Sequence, residues 1–315
     1  MRKLKSLDIL TSALNEEDNI IPLYTAIKDC LAGNSKLDWN LRIVDNGSTD
    51  NTWITIQQLA NLDSRVTGYR MSKTFLFDSA ITAALDFATA DAVVIMCSDL
   101  QDPPSIIPDL ISGYEQGFDQ VVVKIKSRKG TPFLIRVFAN LFYKIAYYLT
   151  QGDIPKNVSD YRLASRACYQ AARSLRESNR FIRGQFAWVG FKKLEIEIDR
   201  PRRLHGKSKF LQFPRWRAIW LALNSIFSFS SVPLAIIAAV GGLSSLFSLI
   251  LTFFLATLWL FFGVPFAGYG TIVASIILGF SLVFLILGIQ SMYISSIYEE
   301  VKRRPLYIIN ERTDQ

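Results

Sequence analysis

The chain has 315 residues, with 35 Lys and Arg against 27 Asp and Glu, a single His and three Cys. Half of its residues are hydrophobic, and they are segregated: from Ala218 to Tyr298 no Asp, Glu, Lys, Arg or His occurs. That run excludes an ordinary soluble domain there, because a surface facing water needs solvated groups. The cysteines, Cys30, Cys97 and Cys168, are scattered without a CxxC pair, which argues against a zinc site and a disulfide framework.

The first residues, MRKLKSLDIL, lack an apolar stretch long enough for a signal peptide, so the domain that follows is expected in the cytoplasm. Short, β-branched, unalternating runs at Leu7–Leu10, Leu41–Val44, Val66–Tyr69, Ala92–Met96 and Gln120–Ile125 predict strands buried on both faces. Helical spacing between them predicts helices over Glu17–Leu31, with Asn15 as cap, Asn51–Leu62, Asp78–Ala88 and Ser105–Gln116. This alternation predicts an α/β fold with a mostly parallel, doubly wound sheet, whose ligands bind beyond the carboxyl ends of the strands. A long aromatic helix is expected over Thr131–Leu149, then a mixed region containing Asp160-Tyr161-Arg162, then a strand over Lys192–Ile198.

The basic loop Arg200–Lys209 leads into Phe210–Phe227, whose tryptophans and arginines suit a helix lying in the headgroup region. A span needs about 20 apolar residues, so the uncharged run has room for two, at Leu234–Trp259 and Thr271–Ser295. Arg202, Arg203, Lys207, Lys209, Arg215 and Arg217 precede the run, Lys302, Arg303 and Arg304 follow it, and the loop around Gly263–Gly270 is uncharged. The positive-inside rule then puts both flanks and both termini in the cytoplasm. A membrane accounts for both the basic excess and its location, so nucleic acid is set aside as a partner. The expected organisation is a catalytic domain over 1–209, a juxtamembrane helix over 210–230, two spans over 231–298 and a tail over 299–315.

Three polar clusters follow strands: Ser12-Ala13-Leu14-Asn15-Glu16, Asp45-Asn46-Gly47-Ser48-Thr49-Asp50 and Ser98-Asp99-Leu100-Gln101-Asp102-Pro103-Pro104. Each suits a turn; three on one sheet edge suit a shared site. A nucleotide sugar brings a diphosphate, which carboxylates repel unless a divalent cation lies between them. Mg2+ or Mn2+ takes oxygen ligands such as Asp99 and Gln101 plus phosphate, and neutralises the departing diphosphate. Asp45 and Glu16 could accept hydrogen bonds from base or ribose. Arg128, Arg136, Arg203 and Lys209 suit an anionic acceptor at the membrane surface. An ionised lipid phosphate attacks without a strong base, and no Ser/His/Asp or Cys/His system is evident. The lone His205 lies in the basic loop and suits a surface or phosphate contact.

Asn15-Glu16-Glu17, Val44-Asp45-Asn46-Gly47-Ser48-Thr49-Asp50, Ser98–Pro104, Phe181-Ile182-Arg183-Gly184, Trp188-Val189-Gly190-Phe191 and Gly206-Lys207-Ser208-Lys209 together resemble the family 2 glycosyltransferases. Within them they resemble the polyprenyl-phosphate group, in particular the bactoprenol (undecaprenyl-phosphate) glucosyltransferases of the GtrB type. Dolichol-phosphate mannose synthases are more distant. The resemblance implies a GT-A (Rossmann-like) fold, a divalent metal, and inverting transfer of one sugar, glucose carried by UDP, to polyprenyl phosphate in a bacterial inner membrane. It implies Asp99 and Asp160 as catalytic, and Asp99 and Gln101 as metal ligands. It implies Glu16 and Asp45 at the donor's nucleoside and Asp99 at its phosphates, beside which Ser12 and Asn15 are expected donor contacts. It implies Arg128, Arg203 and Lys209 at the acceptor phosphate, where Arg136 is expected on its charge. The chain departs from the pattern at Cys97, where the family has the first acid of D-x-D, at Asn46, where it has a second Asp, and at Thr74 and Leu76, where Asn and Gly are expected. Two alternatives stay open. Gln212-Phe213-Pro214-Arg215-Trp216 spells the Q-x-x-R-W of processive polysaccharide synthases, and Cys97 invites a non-enzymatic lipid-binding scaffold. A homo-oligomer is compatible with either.

Overall fold

The computed structural model describes residues 2–34, 36–125, 158–178, 180–199 and 269–314, together with scattered positions between 241 and 261. The helices expected over 131–149 and 210–227, the loop 200–209 and most of the first expected span lie outside the described residues. The chain divides into two units, Met1–Arg217 with Arg304–Gln315, and Ala218–Arg303.

In chain order the first unit contains β1 (Ser6–Ala13), α1 (Glu17–Leu31), β2 (Asp38–Asp45), α2 (Thr52–Leu62), β3 (Val66–Met71), α3 (Phe77–Asp86), β4 (Ala92–Ile95), α4 (Ile107–Glu115), β5 (Gln120–Ile125), β6 (Val158–Ser165), α5 (Arg166–Ser174), α6 (Ile182–Trp188) and β7 (Lys193–Ile198). Helix α7 (Tyr269–Lys302) belongs to the second unit, and β8 (Ile309–Arg312) returns to the first. The strands form one eight-stranded sheet in the order β7-β5-β6-β4-β1-β2-β3-β8. The pairs β1–β2, β1–β4, β2–β3 and β5–β7 are parallel; β4–β6, β5–β6 and β3–β8 are antiparallel.

Strand β1 is buried from Leu7 to Ala13, as a central strand covered on both faces must be. Alternation along it feeds two apolar layers. Leu7, Ile9 and Ala13 pack with Ile20, Leu23 and Ile27 of α1, Ile56 of α2 and Leu110 of α4. Leu10 packs on the opposite face with Ala80 and Ala84 of α3, Tyr169 of α5 and Phe186 of α6. Helices on both faces leave the strand ends as the open place for a site.

The five strands read from apolar runs all form, as do the four helices between them. Strand β6 was not read from the sequence, because Asp160 and Arg162 break its apolar run. The fold hides Arg162 fully, with its guanidinium 4.9 Å from the Phe186 ring centroid, and burial lowers its pKa to about 10. Residues 299–315, expected as a tail, carry strand β8, which covers the β3 edge. Uncovered edges invite pairing with other chains. Gly68 makes the close fit of β3 workable, since a Cβ there would lie 2.4 Å from Ile56 Cγ2 and 3.0 Å from both Trp53 and Thr313.

In the second unit, described by itself, Phe280, Phe284, Leu287, Ile294 and Ile297 of α7 are exposed. Among the described residues one helical segment, Leu282–Lys302, is long and apolar enough to cross a membrane.

Candidate active site

The parallel register sets the carboxyl ends of β1 and β2 level, with Ala13 beside Asp45. The Asn46 N–H donates to the Ala13 carbonyl at 2.8 Å, and the Ser98 hydroxyl donates to the Ser12 carbonyl at 3.0 Å. The three polar turns therefore share one edge. Antiparallel β6 begins there too: Arg162 faces Ile95, the last residue of β4, so Asp160 lies just beyond it.

Asn15 does not cap α1. Glu16 takes that position, and Asn15 has φ 49°, a left-handed conformation that Asn tolerates. From there Asn15 ties the first turn to the second. Its N–H donates to Ser48 Oγ at 2.9 Å, and its side-chain oxygen accepts from the Thr49 N–H at 2.8 Å. The Glu16 N–H donates to Thr52 Oγ1 at 2.9 Å, and the buried Glu16 carboxylate accepts from the Asn19 amide at 2.6 Å.

Asp45 is fully buried. One carboxylate oxygen accepts from the Ser48 N–H at 2.9 Å; the other has no hydrogen-bond partner among the described residues and lies 3.5 Å from Arg70 Nε. Desolvation raises its pKa, opposed by the Ser48 hydrogen bonds and by Arg70. A buried carboxylate oxygen left without a donor is costly unless a ligand supplies one.

The departure at Asn46 has a structural reason. Its amide donates to the Phe75 carbonyl at 2.9 Å and accepts from the Phe75 N–H at 2.8 Å. Aspartate could make only the second contact and would repel the carbonyl. Gly47 brings the same loop close: with φ 73°, a Cβ there would lie 2.7 Å from Lys73 C and Thr74 N. Asn46 and Gly47 thus fasten the loop 73–76 against the site. The sequence showed the substitution at position 46, but its partner is 29 residues away.

Asp99 is 5% exposed, and its carboxylate accepts from the Gln101 N–H at 3.1 Å across Leu100, which has φ 58°. Asp102 closes the turn from inside by accepting from the Cys97 N–H at 3.0 Å. Tyr161 of β6 donates to the Pro103 carbonyl at 2.9 Å, which fixes the turn against the sheet. Among the described residues no three His, Cys, Asp or Glu side chains converge on a metal position. The residues present fit a hard cation held by Asp99, Gln101 and a ligand's phosphate oxygens, the arrangement Mg2+ prefers over an all-protein cage.

Asp160 is gripped by Arg183 through both carboxylate oxygens, with Nε at 3.0 Å. It is a positioned charge rather than a free base. Asp78, which sequence reasoning passed over, lies nearby and accepts from the Ile182 N–H at 3.0 Å. Desolvation first, and the Asp160 charge second, push its pKa up to about 6. A carboxylate with a raised folded pKa stabilises the fold while protonated and loses that contribution as pH rises through the folded value. Asp78→Asn keeps an acceptor for Ile182. It is expected to leave stability unchanged below about pH 4 and to raise it by about 1–3 kcal/mol at pH 7.5. Thermal melting of the detergent-solubilised chain at both pH values checks this.

Arg128, Arg136, Arg203 and Lys209 lie outside the described residues, as does His205.

The glycosyl transferase family 2 model matches residues 8–172. The chain is 32% identical over 305 residues to an uncharacterized glycosyltransferase of Synechocystis sp., covering 97% of this chain and 95% of that protein. It is 32% identical over 305 residues to the SfII prophage-derived bactoprenol glucosyl transferase of Shigella flexneri, covering 97% of each. It is 33% identical over 307 residues to the bactoprenol glucosyl transferase of Shigella phage SfV, covering 97% of this chain and 99% of that one. Glucosyl-3-phosphoglycerate synthase from Mycobacterium tuberculosis matches in structure with TM-score 0.50 at 18% identity, over 72% of this chain and 80% of that one. At that identity the likeness speaks to the GT-A fold.

Proposed function

The chain belongs to glycosyl transferase family 2, and on that premise we propose that it transfers one glucosyl residue from UDP-glucose to a polyprenyl phosphate at the cytoplasmic membrane face. The observation that carries this reading is the pair of buried carboxylates, Asp45 and Asp99, on the shared edge of β1, β2 and β4. The near full-length likeness to proteins named bactoprenol glucosyl transferase supports the sugar and the lipid.

Asp45 accepts a hydrogen bond from the nucleobase, which satisfies its orphan oxygen. Ser12, Asn15 and Glu16 line the ribose side. Asp99 and Gln101 would hold a divalent cation, Mg2+ or Mn2+, which would supply charge neutralisation for the leaving diphosphate. The lipid phosphate is itself ionised, so its oxygen attacks the anomeric carbon as the bond to UDP breaks. One C–O bond forms, one is lost, the configuration inverts, and no strong base is required. Asp160, ion-paired with Arg183 at the β4–β6 end of the site, fixes that guanidinium beside the reacting region. Arg128, Arg136, Arg203 and Lys209 bind the acceptor phosphate.

The chain leaves the first unit after Arg217 and rejoins it at Arg304. The pairing of β8 with β3 puts residues from both sides of the apolar segment in one sheet, which supports the reading of an even number of spans with both flanks on one side. The exposed apolar side chains of α7 suit a lipid surroundings.

The test is transfer from labelled UDP-glucose to polyprenyl phosphate in purified membranes, with Mg2+ or Mn2+ and with chelator. A metal-dependent lipid carrying one sugar is expected. A polymer would instead identify a processive synthase. No transfer from any donor by folded protein would identify a scaffold.

A further inference from the structure

We propose that Glu311, on strand β8, is a positioning residue for the nucleoside subsite, acting through Arg70 on Asp45. The inference rests on the reading of Asp45 as the nucleobase acceptor. Among the described residues, the charged groups facing Asp45 are Arg70 from β3 and Asp50 from its own turn. Arg70 is therefore the cation that favours the ionised, hydrogen-bond-accepting form. Its side chain is 33% exposed, and a guanidinium left to itself at that exposure samples water.

Glu311 restrains it. Arg70 and Glu311 are directly opposite across the antiparallel β3–β8 pair. Arg70 Nη1 lies 3.1 Å from Glu311 Oε1, while its Nε lies 3.5 Å from Asp45. One guanidinium thus bridges a surface carboxylate and a buried one. Glu311 is itself held: the Trp53 indole N–H donates to its second oxygen at 2.8 Å. The strand is fastened on both sides of Glu311. The Ser72 N–H donates to the Ile308 carbonyl at 2.9 Å, the Gly68 N–H donates to Thr313 Oγ1 at 2.9 Å, and the Thr313 N–H donates to the Gly68 carbonyl at 3.1 Å. Tyr307 adds a hydrogen bond to Asp86 at 2.8 Å.

Covering the β3 edge would account for the backbone pairing alone. It does not call for a carboxylate shared between Trp53 and the arginine that faces Asp45. Glu311→Gln separates the two roles, because it keeps the strand, the side-chain size and an acceptor for Trp53 while removing the charge that restrains Arg70.

The experiment titrates UDP, with Mg2+ present, into the full chain in detergent by calorimetry across pH. It compares the unsubstituted chain with Glu311→Gln, Arg70→Gln, the double variant and Asp45→Asn; melting curves confirm folding. Glu311→Gln is expected to weaken UDP binding about fivefold and Arg70→Gln about tenfold. The double variant should match Arg70→Gln, because Glu311 acts only through Arg70. Arg70→Gln should also move the acid limb of binding to higher pH, since Asp45 loses the charge that keeps it ionised; Asp45→Asn should abolish that limb. Unchanged binding in Glu311→Gln, or effects that multiply in the double variant, would overturn the clamp while leaving the nucleoside reading standing. Unchanged binding and an unchanged acid limb in Asp45→Asn would sink the nucleoside reading itself, and the clamp with it.

Discussion

Asp99→Ala is expected to lower sugar transfer about 10³-fold, close to background, with the fold intact. On the reading proposed above Asp99 is the metal ligand of its turn; Asp102 accepts from the Cys97 N–H, and position 97 carries a thiol. A neutral thiol is a poor ligand for a hard cation. No second acid therefore takes over when Asp99 is lost. Initial rates in membranes, at several Mn2+ concentrations, check this. Asp99→Asn sharpens the test, because it keeps an oxygen but removes the charge. Partial rescue of Asp99→Asn by high Mn2+ would point to a metal ligand. Activity within tenfold of the unsubstituted chain in Asp99→Ala would remove Asp99 from the mechanism.

The second large effect is on architecture. Gly47→Ala is expected to destabilise the first unit by about 2–4 kcal/mol. Part of that arises from the left-handed backbone at Gly47, which costs a residue with a Cβ about 1–2 kcal/mol. The rest comes from the new Cβ meeting backbone atoms at 2.7 Å, which cannot swing aside as a side chain would. The loop 73–76 must retreat, and the paired hydrogen bonds between Asn46 and Phe75 stretch with it. A melting temperature lowered by several degrees, together with weaker donor binding, is the expected result. An unchanged melting curve would show that the loop gives way freely.

Much of this was legible in the chain before any coordinates. Central strands buried on both faces announce themselves as short unalternating apolar runs; β4 is uninterrupted, and β1 and β2 each carry one charge, Asp8 and Arg42, which pair with each other at 3.2 Å. The turns after them were visible for the opposite reason, since Asp, Asn, Gly and Ser gather where a chain must reverse and bind. Strand β6 was hidden because Asp160 and Arg162 make it look like a loop, and the Phe186 ring, the Ser159 and Asp160 carbonyls and the Asp160 charge make the buried arginine tolerable. Strand β8 was hidden for another reason. Four residues, Ile309–Arg312, carry too little pattern to stand out, and their partner strand lies far away in the chain. Asp78 was overlooked because its raised pKa depends on burial first and on Asp160 second, and the sequence reveals neither.

That long separation also governs the order in which the molecule can be made. Arg70 and Glu311 are 241 residues apart, and everything assigned to the second unit is synthesised between them. While the ribosome is at work, β1 to β7 can assemble, but the outer edge of β3 waits. Its N–H and C=O groups stay open until the long apolar segment has been made and the strand after it has emerged. Contacts so distant in sequence form late and slowly. A nascent chain stalled before β8 would carry a sheet with a sticky, unfinished margin. Completing that margin links maturation of the first unit to prior handling of the apolar segment.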